Sequence, residues 1–101
     1  MRSLAWAILA AAAAGASAAD DAAEGRRIAE RWCAECHVVG AGQAAASDVA
    51  PSFAAIATER GRSDAWLRGW LADPHPPMPN PGLSRAQIDA VVAYLGGLRD
   101  G

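Results

Sequence analysis

Two cysteines and a histidine stand together in the run Cys33-Ala34-Glu35-Cys36-His37, and this run constrains the fold of the chain more than any other feature. Two thiols separated by two residues and followed directly by an imidazole can attach a c-type haem. The thiols add to the two vinyl groups of the haem, and the adjacent imidazole can coordinate the iron from one face. A chain that carries this group has to fold around it.

The same motif has two other interpretations. A redox dithiol of the Cys-x-x-Cys type is expected near a βαβ pattern, and no strand pattern precedes the motif. A structural zinc site would need a fourth ligand beyond Cys33, Cys36 and His37, and His75 is the only other histidine. Haem attachment is therefore the favoured interpretation, with zinc and dithiol chemistry as the alternatives.

The N-terminal residues have the three parts of a secretory signal peptide. Arg2 supplies the positive charge, an apolar run extends from Leu4 to Ala14, and Ala16-Ser17-Ala18 supplies the small residues that signal peptidases accept. Cleavage after Ala18 or after Ala19 fits this pattern equally well. The sequence therefore predicts an exported protein.

The apolar run of this leader is shorter than the ~20 residues of a membrane-spanning helix, so we expect cleavage and not retention as a membrane anchor. The expected division is a signal peptide over residues 1–18 and a single domain over residues 19–101. The mature protein is then periplasmic, with no stable membrane insertion.

The mature domain is small and acidic. Removal of 18 of the 101 residues leaves 83, and domains of this size commonly depend on a cofactor, a metal or disulfides. All nine basic residues are arginines, and loss of Arg2 leaves eight against eleven acidic residues, a net charge of −3. A chain without lysine and with this balance has no basic patch of the kind that binds nucleic acid.

Helical patterns run through the domain, whereas strand patterns and internal repeats are absent, which predicts an all-α fold. Asp21 and Glu24 have the spacing of a capping box for a first helix, and apolar residues recur at helical spacing as far as Trp32. Residues 38–50 are expected to form a loop, and a short helix is expected over residues 51–56.

Two further helices are predicted in the second half of the chain. Ser63 or Asp64 can cap the third helix, which must end near Asp73 because a proline follows. Five prolines occupy the nine residues 74–82, so this segment is expected to be a stiff loop.

The last helix begins with a capping box formed by Ser84 and Gln87. Its apolar residues then fall on one face of the helix. This face comprises Ile88, Val91, Val92, Leu95 and Leu98.

The proline-rich loop holds both candidates for a second axial ligand of the iron. Met78 is the only methionine of the mature chain, and His75 is the only histidine outside the motif. A lone methionine is commonly core filler, but Met78 lies between two prolines in a loop where no helix face requires it. Histidine paired with methionine is a common axial set for c-type haem, so Met78 is favoured and His75 is the alternative.

In these features the mature sequence resembles the class I cytochromes c over nearly its whole length. The resemblance rests on Gly25, Cys33–His37, Ala50-Pro51, Pro77-Met78-Pro79 and Val91–Leu95. It implies about four helices wrapped around one covalently attached haem c. It also implies that the N- and C-terminal helices pack together where the glycine meets Tyr94.

The resemblance also assigns roles around the haem. The carbonyl of Pro51 is expected to accept a hydrogen bond from the second ring nitrogen of His37. Trp66 and Trp70 are expected to pack against the haem, and one of their indole N–H groups can donate to a propionate.

Ligation of the iron by both His37 and Met78 would leave no open position, so the resemblance implies one-electron transfer between redox partner proteins and no catalysis. One alternative is a five-coordinate haem that binds small gases or reacts with peroxide. Another is a cytochrome subunit of a periplasmic dehydrogenase or oxidase. The protein is accordingly expected to be a monomer or a subunit of a redox complex.

The resemblance also implies that the exposed edge of the haem, where electrons would pass, is surrounded by the residues after His37 and those around the Met78 loop, which are apolar here. Such an uncharged patch suits brief contacts of small area with a redox partner. The patch is expected to comprise Val38, Val39, Ala41, Pro76 and Pro77.

Overall fold

The computed structural model describes residues 18–43 and 49–100, and within these ranges the chain forms four helices and no strand. The helices are α1 (Ala18–Trp32), α2 (Phe53–Thr58), α3 (Asp64–Ala72) and α4 (Arg85–Asp100). The all-α prediction is confirmed. Apart from Ala18, the predicted signal peptide lies outside the described residues. In the described part of the chain, no helix has both the length and the apolar character needed to cross a membrane.

Helices α1 and α4 cross at Gly25. A Cβ atom at this position would lie 1.9 Å from the carbonyl oxygen of Ala90 and 2.9 Å from the Cβ of Tyr94, both on α4. Because only glycine lacks a Cβ, only glycine lets the two backbones approach this closely. The packing of the first and last helices that the resemblance implied is therefore present.

The core lies between α4 and the other three helices. The buried side chains among the described residues are apolar apart from the hydroxyl of Tyr94 and the thiol of Cys33, so burial of apolar surface stabilises the packing. The predicted apolar face of α4 is confirmed, with Leu98 only partly buried. The core includes Ile28, Ala29, Val39, Phe53, Ala57, Leu67, Leu71, Ile88, Ala90, Val91, Val92 and Leu95.

The predicted start and end of α3 and the predicted start of α4 are confirmed. The hydroxyl of Ser63 accepts a hydrogen bond from the Trp66 amide at 3.1 Å, and α3 ends at Ala72, before the proline-rich loop. Ser84 and Gln87 form the reciprocal pair of a capping box, at 2.8 and 3.1 Å. Each cap satisfies amide groups that have no partner within the helix.

The predicted starts of α1 and α2 are wrong. α1 begins at Ala18, so Asp21 lies inside the helix and does not cap it, because the alanines before it are strong helix formers. α2 begins two residues after Pro51, since the hydroxyl of Ser52 accepts from the Ala55 amide at 3.1 Å and caps the helix there.

Arginine side chains fasten α2 and α3 to α4. Arg99 of α4 donates to the carbonyl of Ala57 at 2.8 Å and pairs with Asp64 at 3.3 Å. Arg68 of α3 pairs with Asp89 of α4 at 2.9 Å. Exposed ion pairs of this kind contribute little stability, so these contacts orient α2 and α3 relative to α4 more than they stabilise the fold.

Replacing Gly25 by alanine tests the helix crossing. Since the new methyl group would overlap the Ala90 carbonyl, we expect Gly25→Ala to lower the free energy of unfolding by about 3 kcal/mol or more, as measured by denaturant titration. The matched control is Gly97→Ala in α4, where a Cβ meets no neighbouring atom within 4 Å and alanine should stabilise the helix by up to ~1 kcal/mol. Equal changes in the free energy of unfolding for the two variants would contradict a close approach of α1 and α4 at Gly25.

Candidate haem-binding site

The Cys-x-x-Cys-His motif forms a tight turn at the C-terminal end of α1. The amide of Cys33 still donates to the carbonyl of Ala29 at 2.9 Å, as in the helix. The amides of Cys36 and His37 then both donate to the carbonyl of Cys33, at 3.3 and 3.0 Å. The turn therefore brings the two thiols and the imidazole to one end of α1.

Both cysteines are free thiols. Cys33 is buried and Cys36 is half-buried. Burial raises the pKa of the Cys33 thiol, because an apolar surrounding disfavours the thiolate. Neither sulfur is engaged in a disulfide, so both are available for thioether bonds.

The imidazole of His37 is held from two sides. Its Nδ1 lies 2.5 Å from the carbonyl oxygen of Pro51, and its ring meets that of Phe53 edge to face, with centroids 5.5 Å apart. A carbonyl oxygen can only accept, so Nδ1 carries the hydrogen in this contact, and in the neutral ring Nε2 then keeps a lone pair for a metal. The contact between His37 and Pro51 that the resemblance implied is present.

The segment that carries Pro51 is fixed to the motif by backbone hydrogen bonds. The amide of Ala50 donates to the carbonyl of Cys36 at 3.0 Å, and the amide of Phe53 donates to the carbonyl of Val38 at 2.9 Å. These bonds flank Pro51 on both sides. The position of its carbonyl, and with it the orientation of the His37 ring, follows from this pairing.

Val39 does not belong to the exposed apolar patch that was predicted. It is only 2% exposed, whereas Ala41, Pro76 and Pro77 are exposed and Val38 is half-buried. The hydroxyl of Tyr94 donates a hydrogen bond to the carbonyl of Val39. This long-range contact holds the residue against the core, and sequence spacing alone gave no sign of it.

Met78 lies on the inner side of the proline-rich loop. Its amide donates to the carbonyl of His75 at 3.1 Å, which closes a turn, and its side chain packs against the core. The indole Nε1–H of Trp70 donates to the Met78 sulfur at 3.2 Å. His75 itself is exposed, with its ring centroid 4.8 Å from that of Trp70.

The two tryptophans of α3 stack on each other. Their ring centroids lie 5.5 Å apart with an interplanar angle of 10°, and Trp66 is 40% exposed. The N–H of Trp70, for which a propionate was one expected acceptor, is engaged by Met78. The sequence pointed to Trp70 but not to the Met78 sulfur as its acceptor. Which atoms of α3 and the proline-rich loop come into contact depends on the tertiary structure.

The side chains present fit a c-type haem better than zinc or a redox dithiol. In residues 18–43 and 49–100, no three His, Cys, Asp or Glu side chains form a group that could hold a metal ion, so the zinc alternative lacks a ligand set there. The βαβ context of a dithiol enzyme is also absent from those ranges. Two free thiols beside an imidazole with an open Nε2 are the groups that haem attachment needs.

Comparison with known proteins supports the same cofactor. Residues 22–99 match the family model described as "Cytochrome c". The chain is 48% identical over 93 residues to "Cytochrome c-552" of Bradyrhizobium diazoefficiens, an alignment that covers 91% of this chain and 89% of the relative. No solved structure matched the chain. The chain therefore belongs to the cytochrome c family and is an electron-carrier haem protein with covalently attached haem c.

Proposed function

We propose that this protein is an exported one-electron carrier whose haem iron is bound by His37 on one face and Met78 on the other. The haem, attached through Cys33 and Cys36, supplies the reversible change between ferric and ferrous iron. The observation that carries the proposal is the inward position of the Met78 side chain, against the core, while His75 is exposed. With both axial positions filled by the protein, electron transfer is favoured over substrate chemistry.

His37 is suited to the proximal position because its ring orientation is set by the protein. The Pro51 carbonyl accepts from Nδ1 and so fixes the tautomer that leaves Nε2 free. A hydrogen bond of this kind also makes the imidazole a stronger donor to a metal. Pro51 thus acts on the iron through the histidine.

Met78 is suited to the distal position because it is partly buried against the core and its sulfur is oriented by a hydrogen bond. A thioether sulfur has two lone pairs, so the hydrogen bond from Trp70 leaves one for the iron. His75 instead faces an open groove on the outside of α3. The groove is lined by Ala65, Trp66, Gly69, Trp70, Asp73 and His75.

This ligand set predicts a comparatively high reduction potential. A soft thioether stabilises ferrous iron relative to ferric iron, and apolar surroundings disfavour the extra positive charge of the ferric site. Both effects act in the same direction. The protein should therefore be a low-spin carrier with a higher potential than a haem bound by two histidines.

Contact with redox partners is proposed at the exposed apolar residues near the motif and the proline-rich loop. Ala41, Pro76 and Pro77 are exposed and uncharged. An uncharged surface of small area supports transient contacts, which suit a shuttle that must bind and leave two partners in turn.

Separate substitutions of Met78 and of His75 distinguish between the two candidate iron ligands. We expect Met78→Ala to remove the ferric sulfur-to-iron absorption band and to allow prompt carbon monoxide binding by the ferrous protein. The reduction potential should fall by more than ~100 mV, within the ~0.8 V range over which axial ligands set haem potentials. His75→Ala should keep the band and exclude carbon monoxide. The opposite pattern would show that His75 is the iron ligand. Prompt carbon monoxide binding by the unaltered protein would favour the five-coordinate alternative.

The hydrogen bond from Trp70 should tune the potential through the sulfur. It draws electron density from the thioether and so favours ferrous iron. Trp70→Phe keeps a ring but loses the N–H, and we expect it to lower the potential by up to about 40 mV, from a hydrogen bond of about 1 kcal/mol. Trp66→Phe, which removes the other indole of the stack, should shift a redox titration less than half as far. Equal shifts would mean that stacking, and not the hydrogen bond, matters.

Export is proposed from the signal-like pattern of residues 1–18. Cleavage after Ala18 or Ala19 would remove at most two residues of α1 and leave the crossing at Gly25 intact. Intact-mass measurement of the haem-loaded protein from a bacterial periplasm should show a chain that begins at Ala19 or Asp20. A mass that includes residues 1–18 would contradict export by a cleaved signal.

A further inference from the structure

The side chain of Gln43 bonds three backbone groups of the turn that carries the haem motif. Its Oε1 accepts from the amide of Val39 at 2.8 Å. Its Nε2 donates to the carbonyl of Ala34 at 3.2 Å and to the carbonyl of His37 at 3.2 Å. One carboxamide therefore links a residue inside the Cys-x-x-Cys spacing, the histidine itself and the residue two positions beyond it.

The three partners fix which way the amide of Gln43 points. An amide group has two N–H donors and one oxygen, and here both donors meet carbonyls while the oxygen meets an N–H. A flipped amide would set its oxygen against two carbonyl oxygens and its NH2 against a donor. The contact is thus specific to glutamine, since a glutamate at this position could accept from Val39 but could not donate to Ala34 or His37.

Gln43 and Tyr94 bond the two backbone polar groups of Val39. Gln43 accepts from the Val39 amide, and the Tyr94 hydroxyl donates to the Val39 carbonyl. His37 is likewise held at two points: its ring contacts the Pro51 carbonyl, and its own carbonyl accepts a hydrogen bond from Gln43. With backbone and ring both fixed, the imidazole has little freedom to tilt.

We propose that Gln43 is a positioning residue for the proximal ligand: it locks the backbone of the Cys33–Val39 turn and thereby sets the orientation of the His37 imidazole toward the iron. The proposal rests on His37 being that ligand. Its hydrogen bonds to the Val39 amide and to the Ala34 and His37 carbonyls are all to backbone, so it would act on the iron through the backbone of the turn. Loss of a group that orients a metal-bound histidine typically costs about 10- to 100-fold in metal affinity or activity.

Two substitutions separate the contacts of this side chain. Gln43→Glu keeps an acceptor for the Val39 amide but loses both donors and places a carboxylate against two carbonyl oxygens. Gln43→Ala loses the bonds to Val39, Ala34 and His37 together. The matched control is Gln87→Ala, because Gln87 also bonds backbone through its side chain, but at the start of α4.

The test is proton NMR of the haem-loaded ferric protein, in which the paramagnetic shifts of the His37 ring protons report imidazole orientation. We expect both Gln43 variants to move these shifts and Gln87→Ala to leave them as in the unaltered protein. Hydrogen exchange at the Val39 amide should become roughly tenfold faster in Gln43→Ala and change far less in Gln43→Glu.

Unchanged His37 ring shifts in both Gln43 variants would overturn the proposal, even if Val39 exchange becomes faster, because Gln43 would then hold only the loop. If Gln43→Ala does not retain haem, the ring shifts of Gln43→Glu decide. A failure of the proposed function is distinct from this result, since it would show in the unaltered protein as ring signals without histidine ligation or as a spectrum without the sulfur-to-iron band.

Discussion

The close crossing of α1 and α4 at Gly25 is the constraint on which the rest of the structure depends. Because the backbones touch there, the end of α1, with its two cysteines, is fixed relative to α4. One turn further along α4, Tyr94 then reaches the carbonyl of Val39 just after the motif. A bulkier residue at the crossing would separate the helix that carries the haem attachment from the helix that supports it.

Beyond α1, the haem motif has no regular structure of its own and is held by long-range contacts. The backbone at Ala50 and Phe53 pairs with the motif, and the carbonyl of Pro51 between them meets the His37 ring. Gln43 satisfies further backbone groups of the same turn. The His37 ring is therefore positioned by residues that lie up to 16 positions further along the chain, and its orientation is a property of the folded domain.

Local sequence signals predicted the parts of the fold that local interactions decide. The caps at Ser63 and Ser84 were predicted because a side chain and an amide three residues apart form them. The start of α1 was wrong because the helix already includes Ala18 and Ala19 before Asp21. The burial of Val39 and the acceptor of the Trp70 N–H were not predicted, since each depends on a partner that only tertiary structure brings near.

The central claim is a six-coordinate iron with one nitrogen ligand and one sulfur ligand from the protein, His37 and Met78. Iron K-edge X-ray absorption of the haem-loaded protein tests it most directly, because sulfur and nitrogen neighbours scatter at different distances and strengths. The account predicts five nitrogen neighbours and one sulfur neighbour in both the ferric and the ferrous state. Six nitrogen neighbours, or five neighbours without sulfur, would contradict it.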